Sequence, residues 1–474
     1  MPESYAHFLK HPIFKVISEL SQIHGLEVYV IGGFVRDCLL NRTCTDIDLV
    51  VIGDGPSFAM QVAQKLRAKN LSLFERYGTA HFKYKDIDVE FVGARKESYS
   101  KNSRKPSTLP GSLLEDQLRR DFTINALALS LNVGSFGKLI DPFEGIKDLE
   151  SAVLRTPLDP VLTYSDDPLR MMRAIRFATQ LNFQISSQSI EAIHTQKERI
   201  SIVSKERISI ELNKIISSTK PSRGLHLLKH TGLLSFIFPE LLALGGTEIV
   251  NGHSHKDNFD HTLEVLDNLS KLSDNLWLRW AALLHDIAKP LTKKYEPNHG
   301  WTFHGHEDLG ARMVPKIFKN LRLPLDHKMK YVQKLVRLHL RPIALVKGDI
   351  TDAAIRRLLA EAGDDIDDLM LLCNSDITSK NEFKVKRYRK NYDSVTKKLK
   401  TVEEKDRIRN FQPPITGELI MEIFSIGPCA EIGILKSKIK DAILEGEIGN
   451  TFEEAKIALF KYAEELGLKA IKDI

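Results

Sequence analysis

The chain of 474 residues has only four cysteines, three tryptophans and no long apolar run. Cys38, Cys44, Cys373 and Cys429 are too few and too scattered for a disulfide framework, and no C-x-x-C pair offers a zinc site; buried thiols are expected instead. No window approaches the roughly 18 uninterrupted apolar residues of a membrane span. The opening MPESYAHFLKHPIFKVISEL lacks the basic-then-apolar layout of a secretory signal. These absences point to a cytoplasmic protein with no membrane partner and no evident obligate protein partner. No fixed-period repeat is visible, which sets aside a repeat architecture.

An apolar content of 42% is ample for several cores, and the length exceeds what one core supports, so two to four domains are expected. The net charge of +6 fits either a mixed-sign surface or a polyanionic partner such as nucleic acid. EVYVIGG and DIDLVVI read as strands, SFAMQVAQKLRAKN as a helix, and HFKYKDIDVEFVG as a further strand or hairpin. SKNSRKPSTLPGS, residues 100–112, reads as a mobile loop that closes over a substrate. From about residue 150, apolar residues recur three and four apart, as in LRMMRAIRFATQL, SKERISIELNKII and SRGLHLLKHTGLL, and the remainder is expected to be all-helical. The fold class is therefore α+β, a mixed α/β head followed by helices, divided as 1–150, 151–240, 241–400 and 401–474.

GGFVRDCLLNRTCTDIDLV, residues 32–50, joins three chemical devices. Gly32 and Gly33, between a strand and a helix beginning near Arg36, let backbone approach a phosphate. Asp46 and Asp48, at i and i+2 of a strand, present two carboxylates on one face, an arrangement that needs a hard cation such as Mg²⁺. In IDVEFVG, Asp88 and Glu90 also share a face, and either completes the site. The stretch resembles the signature of the nucleotidyltransferase superfamily in the form carried by class II tRNA nucleotidyltransferases, the CCA-adding enzymes, and by bacterial poly(A) polymerases. Further segments follow in that family's order. VEFVGARKESY resembles the strand of the third carboxylate, which selects Glu90, with Arg95 beyond it. LRRDFTINALAL resembles the Arg-Arg-Asp motif, which implies Arg119, Arg120, Asp121 and Asn125 on the ribose and phosphates. IDPFEGIKDLE resembles the head-to-neck junction and DDPLRMMRAIRFA the nucleobase reader, so the likeness covers roughly residues 28–215.

Asp167, Arg170, Arg173 and Arg176 stand three apart and form one polar stripe on a helix. Beside such a head the stripe acquires a purpose. Cytosine and adenine show an amino donor next to a ring-nitrogen acceptor, and uracil and guanine show the reverse. A carboxylate at Asp167 and a guanidinium at Arg170 therefore accept C and A, while Arg173 and Arg176 face the triphosphate or hold the reader. The resemblance implies template-independent addition of CCA to the tRNA 3′ end from CTP and ATP with Mg²⁺; poly(A) addition is the alternative. Asp166-Asp167 stands where the family commonly has Glu-Asp.

A second constellation lies downstream. His261, the adjacent His285-Asp286 on an apolar helix, and further candidates His306, His339 and Asp376 supply ligands for Mn, Fe, Ni, Zn or Mg. The set resembles an HD phosphohydrolase domain, which implies His261, His285, Asp286 and Asp376 on a metal. It also implies His306 and His339 as second-metal or phosphate contacts, and Lys289 as a phosphate neighbour. Phosphate-ester hydrolysis is one expectation; a third reading makes the HD domain the working enzyme and the head a nucleotide-binding regulator. KVKRYRKNYDSVTKKLK, with Tyr388 and Tyr392 among its basic residues, offers a backbone track with stacking rings, and TFEEAKIALFKYAEELGLKAI is an amphipathic helix.

Overall fold

The computed structural model describes residues 4–74, 78–100, 103–250, 253–254, 257–297, 300–347, 351–378, 382–406 and 412–471. The chain divides into two compact units, Met1–Pro239 and Glu240–Ile474.

The first unit opens with α1 (Pro12–His24), set by Pro12 in its first turn and closed by Gly25 in the left-handed region at φ 61°. Then come β1 (Glu27–Ile31), α2 (Gly33–Leu39), β2 (Asp46–Ile52), α3 (Gly55–Leu66), β3 (Lys69–Phe74), β4 (Thr79–Tyr84) and β5 (Ile87–Gly93). β8 (Ala128–Ser130) and β9 (Leu139–Ile140) complete a seven-stranded sheet in the order β3-β4-β5-β2-β1-β8-β9. β2 and β5 run parallel, and the other neighbours are antiparallel. Alternation decides the faces: Ile47, Leu49, Val89 and Phe91 are buried, whereas Asp46, Asp48, Asp88 and Glu90 point the other way. Phe91 packs on Phe58 of α3 and Phe82 of β4, with ring centroids 6.0 and 5.8 Å away. Each such ring contributes about 1.5–3 kcal/mol by leaving water, which holds α3 against the strands that carry the acids.

The expected loop at 100–112 is instead largely a hairpin of β6 (Arg95–Ser100) and β7 (Ser103–Pro110). Ser112 then starts α4 (Leu113–Leu118) in a reciprocal capping box with Glu115. The neck comprises α5 (Gly145–Glu150), α6 (Pro160–Asp166), α7 (Leu169–Leu181), α8 (Ser187–Gln196), α9 (Lys205–Ile216) and α10 (Pro221–His230). The three apolar stretches read as helices from the sequence fall on α7, α9 and α10.

The second unit is mainly helical, with short strand pairs at Ile249–Val250/His253–Ser254 and Lys294–Glu296/Gly300–Thr302 that helical periodicity does not anticipate. One helix, Glu382–Asp406, runs through the boundary expected at 400/401. Tyr392 on it donates its hydroxyl to the Met370 carbonyl at 2.7 Å, so this residue braces helices rather than offering a free stacking platform. Tyr388's side chain lies outside the described residues. Of the four thiols only Cys373 is buried; Cys38 and Cys44 are half-buried and Cys429 is exposed, which corrects the expectation. Among the described residues no helix is long and apolar enough to cross a membrane.

Gly55 lets α3 start directly over β5, since a Cβ there would stand 2.5 Å from the Gly93 nitrogen. Gly55→Ala is expected to lower stability by about 1–3 kcal/mol through overpacking. Gly134→Ala, with nothing within 4 Å, is the control that leaves the urea midpoint close to wild type.

Candidate functional site

In the first unit, β2 and β5 bring the acids together in register: Asp48 is paired with Glu90 and Asp46 with Asp88. Asp88 is taken by β4, its carboxylate lying 3.3 Å from His81 Nε2 and 3.8 Å from Lys83 Nζ. Glu90 instead senses Asp48. Burial first, and then the Asp48 charge, raise the Glu90 pKa; burial and the Asp46 charge do the same to Asp48 against the pull of Arg120. Burial is thus the main cause of both shifts, and three carboxylates gathered on one face of the sheet fit a divalent metal.

Gly32 takes φ 80°, accessible to glycine, and a Cβ on it would stand 3.0 Å from Arg120 Nη1 and 3.6 Å from Asp48 Oδ2. Gly33 is as close to Arg36, whose Nη2 would lie 3.7 Å from its Cβ. Asp116, fully buried, holds both Arg119 and Arg120 from one turn back on α4. The backbone carbonyl of Arg119 in turn accepts from the Arg170 guanidinium. Phosphate-seeking cations are therefore fixed before any ligand arrives.

Three residues expected to touch the nucleotide sit deeper. Arg36 donates from Nε and Nη2 to Asp37, at 2.9 and 2.8 Å, and from Nη1 to Asn125 at 2.7 Å. Asn125 donates onward to Asp121 at 3.0 Å, and Asp121 also accepts from the Phe122 amide and from Arg173, whose Nη2 lies 2.6 Å away. Burial opposes the Asp121 charge, but Arg173, Asn125 and Arg170 outweigh it and hold its pKa down at about 2. Arg36, Asp121 and Asn125 form an internal relay, with polar atoms engaged within the chain.

The relay ends in the stripe on α7. Arg176 pairs with the buried Glu211 of α9 at 2.6 Å, and Arg36, Arg173 and Arg176 all pack on the Phe177 ring. Of the two roles considered for Arg173 and Arg176, these contacts match the one that holds the reader. Asp167 caps α7 through the Leu169 amide at 3.2 Å and lies 3.4 Å from Arg207 of α9. Asp116, Phe177, Arg207 and Glu211 were not anticipated. Asp116 stands three and four residues before the two arginines and Glu211 four after Arg207, spacings that a search for charged pairs one helical turn apart would find.

In the second unit, His261 on the helix Asn258–Ser270, His285 and Asp286 after Leu276–Leu284, His306 at the start of His306–Asn320, His339 after His327–Leu338 and Asp376 after Ile366–Ser375 converge. The ligand atoms of His261, His285 and Asp286, and of Asp286, His306 and His339, lie within 4.8 Å of one another, with Asp286 common to both groups. Asp376 joins through His261 Nε2 at 2.9 Å and His285 Nε2 at 3.7 Å. Each histidine is oriented from behind. Nδ1 of His285, His306 and His339 donates to the carbonyls of Ala282, Phe303 and Val336 at 2.7, 2.7 and 2.6 Å, and the Thr378 hydroxyl, also not anticipated, lies 2.9 Å from Nδ1 of His261. Nε2 of His285, His306 and His339 is thereby turned toward the Asp286 carboxylate.

Nε2 of His306 and of His339 are 3.3 Å apart, a distance that a shared proton or a bound cation would bridge. His285 Nε2 and Asp286 Oδ2 are buried and lie 3.2 Å apart. This donor set fits a divalent metal. Burial opposes a charged His285, yet Asp286 and Asp376 raise its pKa to about 9; burial and the His285 charge lower that of His339 to about 4. Lys289 places its ammonium 2.6 Å from Asp286 Oδ2, so it is committed to the ligand carboxylate instead of standing clear for phosphate.

Three family models match the chain: the poly(A) polymerase head domain over residues 28–155, a probable RNA-binding and SrmB-binding site of polymerase A over 182–244, and the HD domain over 258–369. A multifunctional CCA protein of Shewanella frigidimarina is 33% identical over 64% of this chain and 71% of its own. An A-adding tRNA nucleotidyltransferase of Deinococcus radiodurans is 30% identical over 92% of this chain and 95% of its own. Among solved structures, an apo CCA-adding enzyme superposes with a TM-score of 0.65 at 20% identity, over 98% of both chains. A Thermotoga maritima CCA-adding enzyme complexed with tRNA gives 0.61 at 21%, over 97% of this chain and 99% of that one.

Asp121 contributes stability that is full above the ordinary aspartate pKa of about 3.9 and is lost as pH falls through about 2. Asp121→Asn is expected to cost about 2 kcal/mol at pH 7 in urea denaturation and to flatten the loss of stability between those two pH values.

Proposed function

The chain belongs to the tRNA nucleotidyltransferase family, and from that premise we propose that it adds C, C and A in turn to the tRNA 3′ end. CTP and ATP are the substrates and no nucleic-acid template is used. The observation that carries the reading is the in-register pair Asp48 and Glu90, with Asp46 beside them, facing a glycine turn onto which Arg120 is already folded.

Asp46, Asp48 and Glu90 would hold Mg²⁺. When bound, the metal lowers the pKa of the RNA 3′-hydroxyl and neutralises the departing pyrophosphate. The chain's own residues do the rest. Gly32 and Gly33 leave room for the triphosphate, and Arg119 and Arg120, immobilised by Asp116, meet its charge without paying to become ordered. Asp167 accepts from the amino group of C or A, and Arg170 donates to the adjacent ring nitrogen. Arg173, Arg176 and the Asp121 relay keep that reader at a fixed height above the acids.

The HD domain is present with a complete donor set, and we assign it a separate, metal-dependent hydrolysis of phosphate esters. His261, His285, Asp286 and Asp376 would hold a divalent ion such as Mn²⁺ or Ni²⁺, with His306 and His339 beside it. The ion would polarise a phosphoryl oxygen or a bound water.

Purified full-length protein with Mg²⁺, labelled CTP and ATP, and tRNA lacking its terminal CCA is expected to add C, C, A and stop. Unlimited A tails would mark a poly(A) polymerase, and addition of A only to tRNA ending in CC would mark an A-adding enzyme. Asp48→Ala should reduce addition by roughly a hundredfold or more while sparing Mn²⁺- or Ni²⁺-dependent phosphate release from a nucleotide monoester. Asp286→Asn should do the reverse and lose metal in mass spectrometry. Loss of both activities in either variant contradicts two independent centres.

A further inference from the structure

We propose that Arg207 is a specificity-determining positioning residue for nucleotide addition: from α9 it fixes the direction in which Asp167 presents its carboxylate to the incoming base. The inference rests on the assignment of Asp167 as the base-reading acid.

Asp167 follows the last residue of α6, in extended backbone between two helices. Its carboxylate is anchored at both oxygens. Oδ1 accepts from the Leu169 amide at 3.2 Å, and Oδ2 from Arg207 Nη2 at 3.4 Å. The terminal torsion of an aspartate is broad, so a carboxylate held at one oxygen swings readily. A swinging carboxylate still accepts from the amino group of C or A, which can follow it. It also turns away from the carbonyl oxygen that U or G presents at the same place, and the repulsion that rejects those bases is lost. Held at both oxygens, it turns away less readily. Rejection of the wrong base therefore depends on the second anchor more than acceptance of the right one does.

The placement of Arg207 fits this role. Glu211, one turn further along the same helix, grips Arg176 at 2.6 Å, so α9 contacts the reader both at its first acid and at its last arginine. The Arg207–Asp167 pair is itself partly open, with side chains 40% and 21% exposed. An ion pair so exposed contributes little to stability, so its removal is expected to alter chemistry without unfolding the neck.

The test uses full-length protein, Mg²⁺ and tRNA lacking CCA, with kcat and KM measured separately for CTP, ATP, UTP and GTP. Arg207→Ala is expected to lose roughly ten- to hundredfold in the preference for CTP over UTP, chiefly in KM, at an unchanged Tm. Arg207→Lys should recover part of it. Adding Arg207→Ala to Asp167→Ala should change discrimination no further. Wild-type discrimination in Arg207→Ala, or an equal loss with all four nucleotides, overturns the proposal. If Asp167→Ala itself still rejects UTP, the base-reading assignment falls and this inference with it. If Asp167→Ala loses rejection and Arg207→Ala keeps it, only the role of Arg207 is disproved.

Discussion

The ion pair between the buried Asp121 and the half-buried Arg173 is the joint on which the first unit depends. Asp121 belongs to the short turn after the Arg-Arg motif, Arg173 to the second turn of α7, and their charged atoms meet at 2.6 Å. Taking either charge from water is costly, and the cost is met only because each also finds other partners. Asp121 collects the Phe122 amide and Asn125, and Asn125 carries the connection to Arg36 beside the glycine turn. Arg173 shares the Phe177 ring with Arg36 and Arg176. The glycine-turn segment and α7, for which we propose phosphate binding and base reading, are thus parts of one polar network.

The two candidate centres solve opposite electrostatic problems. The sheet gathers Asp46, Asp48 and Glu90 at a partly open site, where burial raises the pKa of Asp48 and Glu90. The HD centre is nearly closed, and three of its histidines are locked by backbone carbonyls behind them. The first arrangement suits a metal that arrives with a nucleotide. The second suits a resident ion.

Much of this was legible in the order of residues, because it follows from the period-two alternation of strands and the 3.6-residue helical turn. The face shared by Asp46 and Asp48, the stripe on α7 and the histidine-aspartate pair all come from that arithmetic. The choice between Asp88 and Glu90 was not available from alternation, since the two share a face; the resemblance chose Glu90, and only the register with β2 and the capture of Asp88 by His81 and Lys83 separate them physically. The motif marks Asp121 and Asn125 without revealing the hydrogen bonds that tie them to Arg173 and Arg36. The β6–β7 hairpin was hidden by a Ser-, Pro- and Lys-rich composition that normally marks a loop. Arg207 and Thr378 act across 40 and 117 residues of chain, a separation at which local spacing carries no signal.

The central claim, that base reading and phosphate binding are coupled through Asp121 and Arg173, is tested most directly by a double-mutant cycle on CTP addition. The kcat/KM values of Asp121→Asn, Arg173→Met and the double variant are compared with wild type. The account predicts that the double variant loses no more than the worse single one, because either change already breaks the joint. Losses that multiply would show the two residues acting independently and would contradict it.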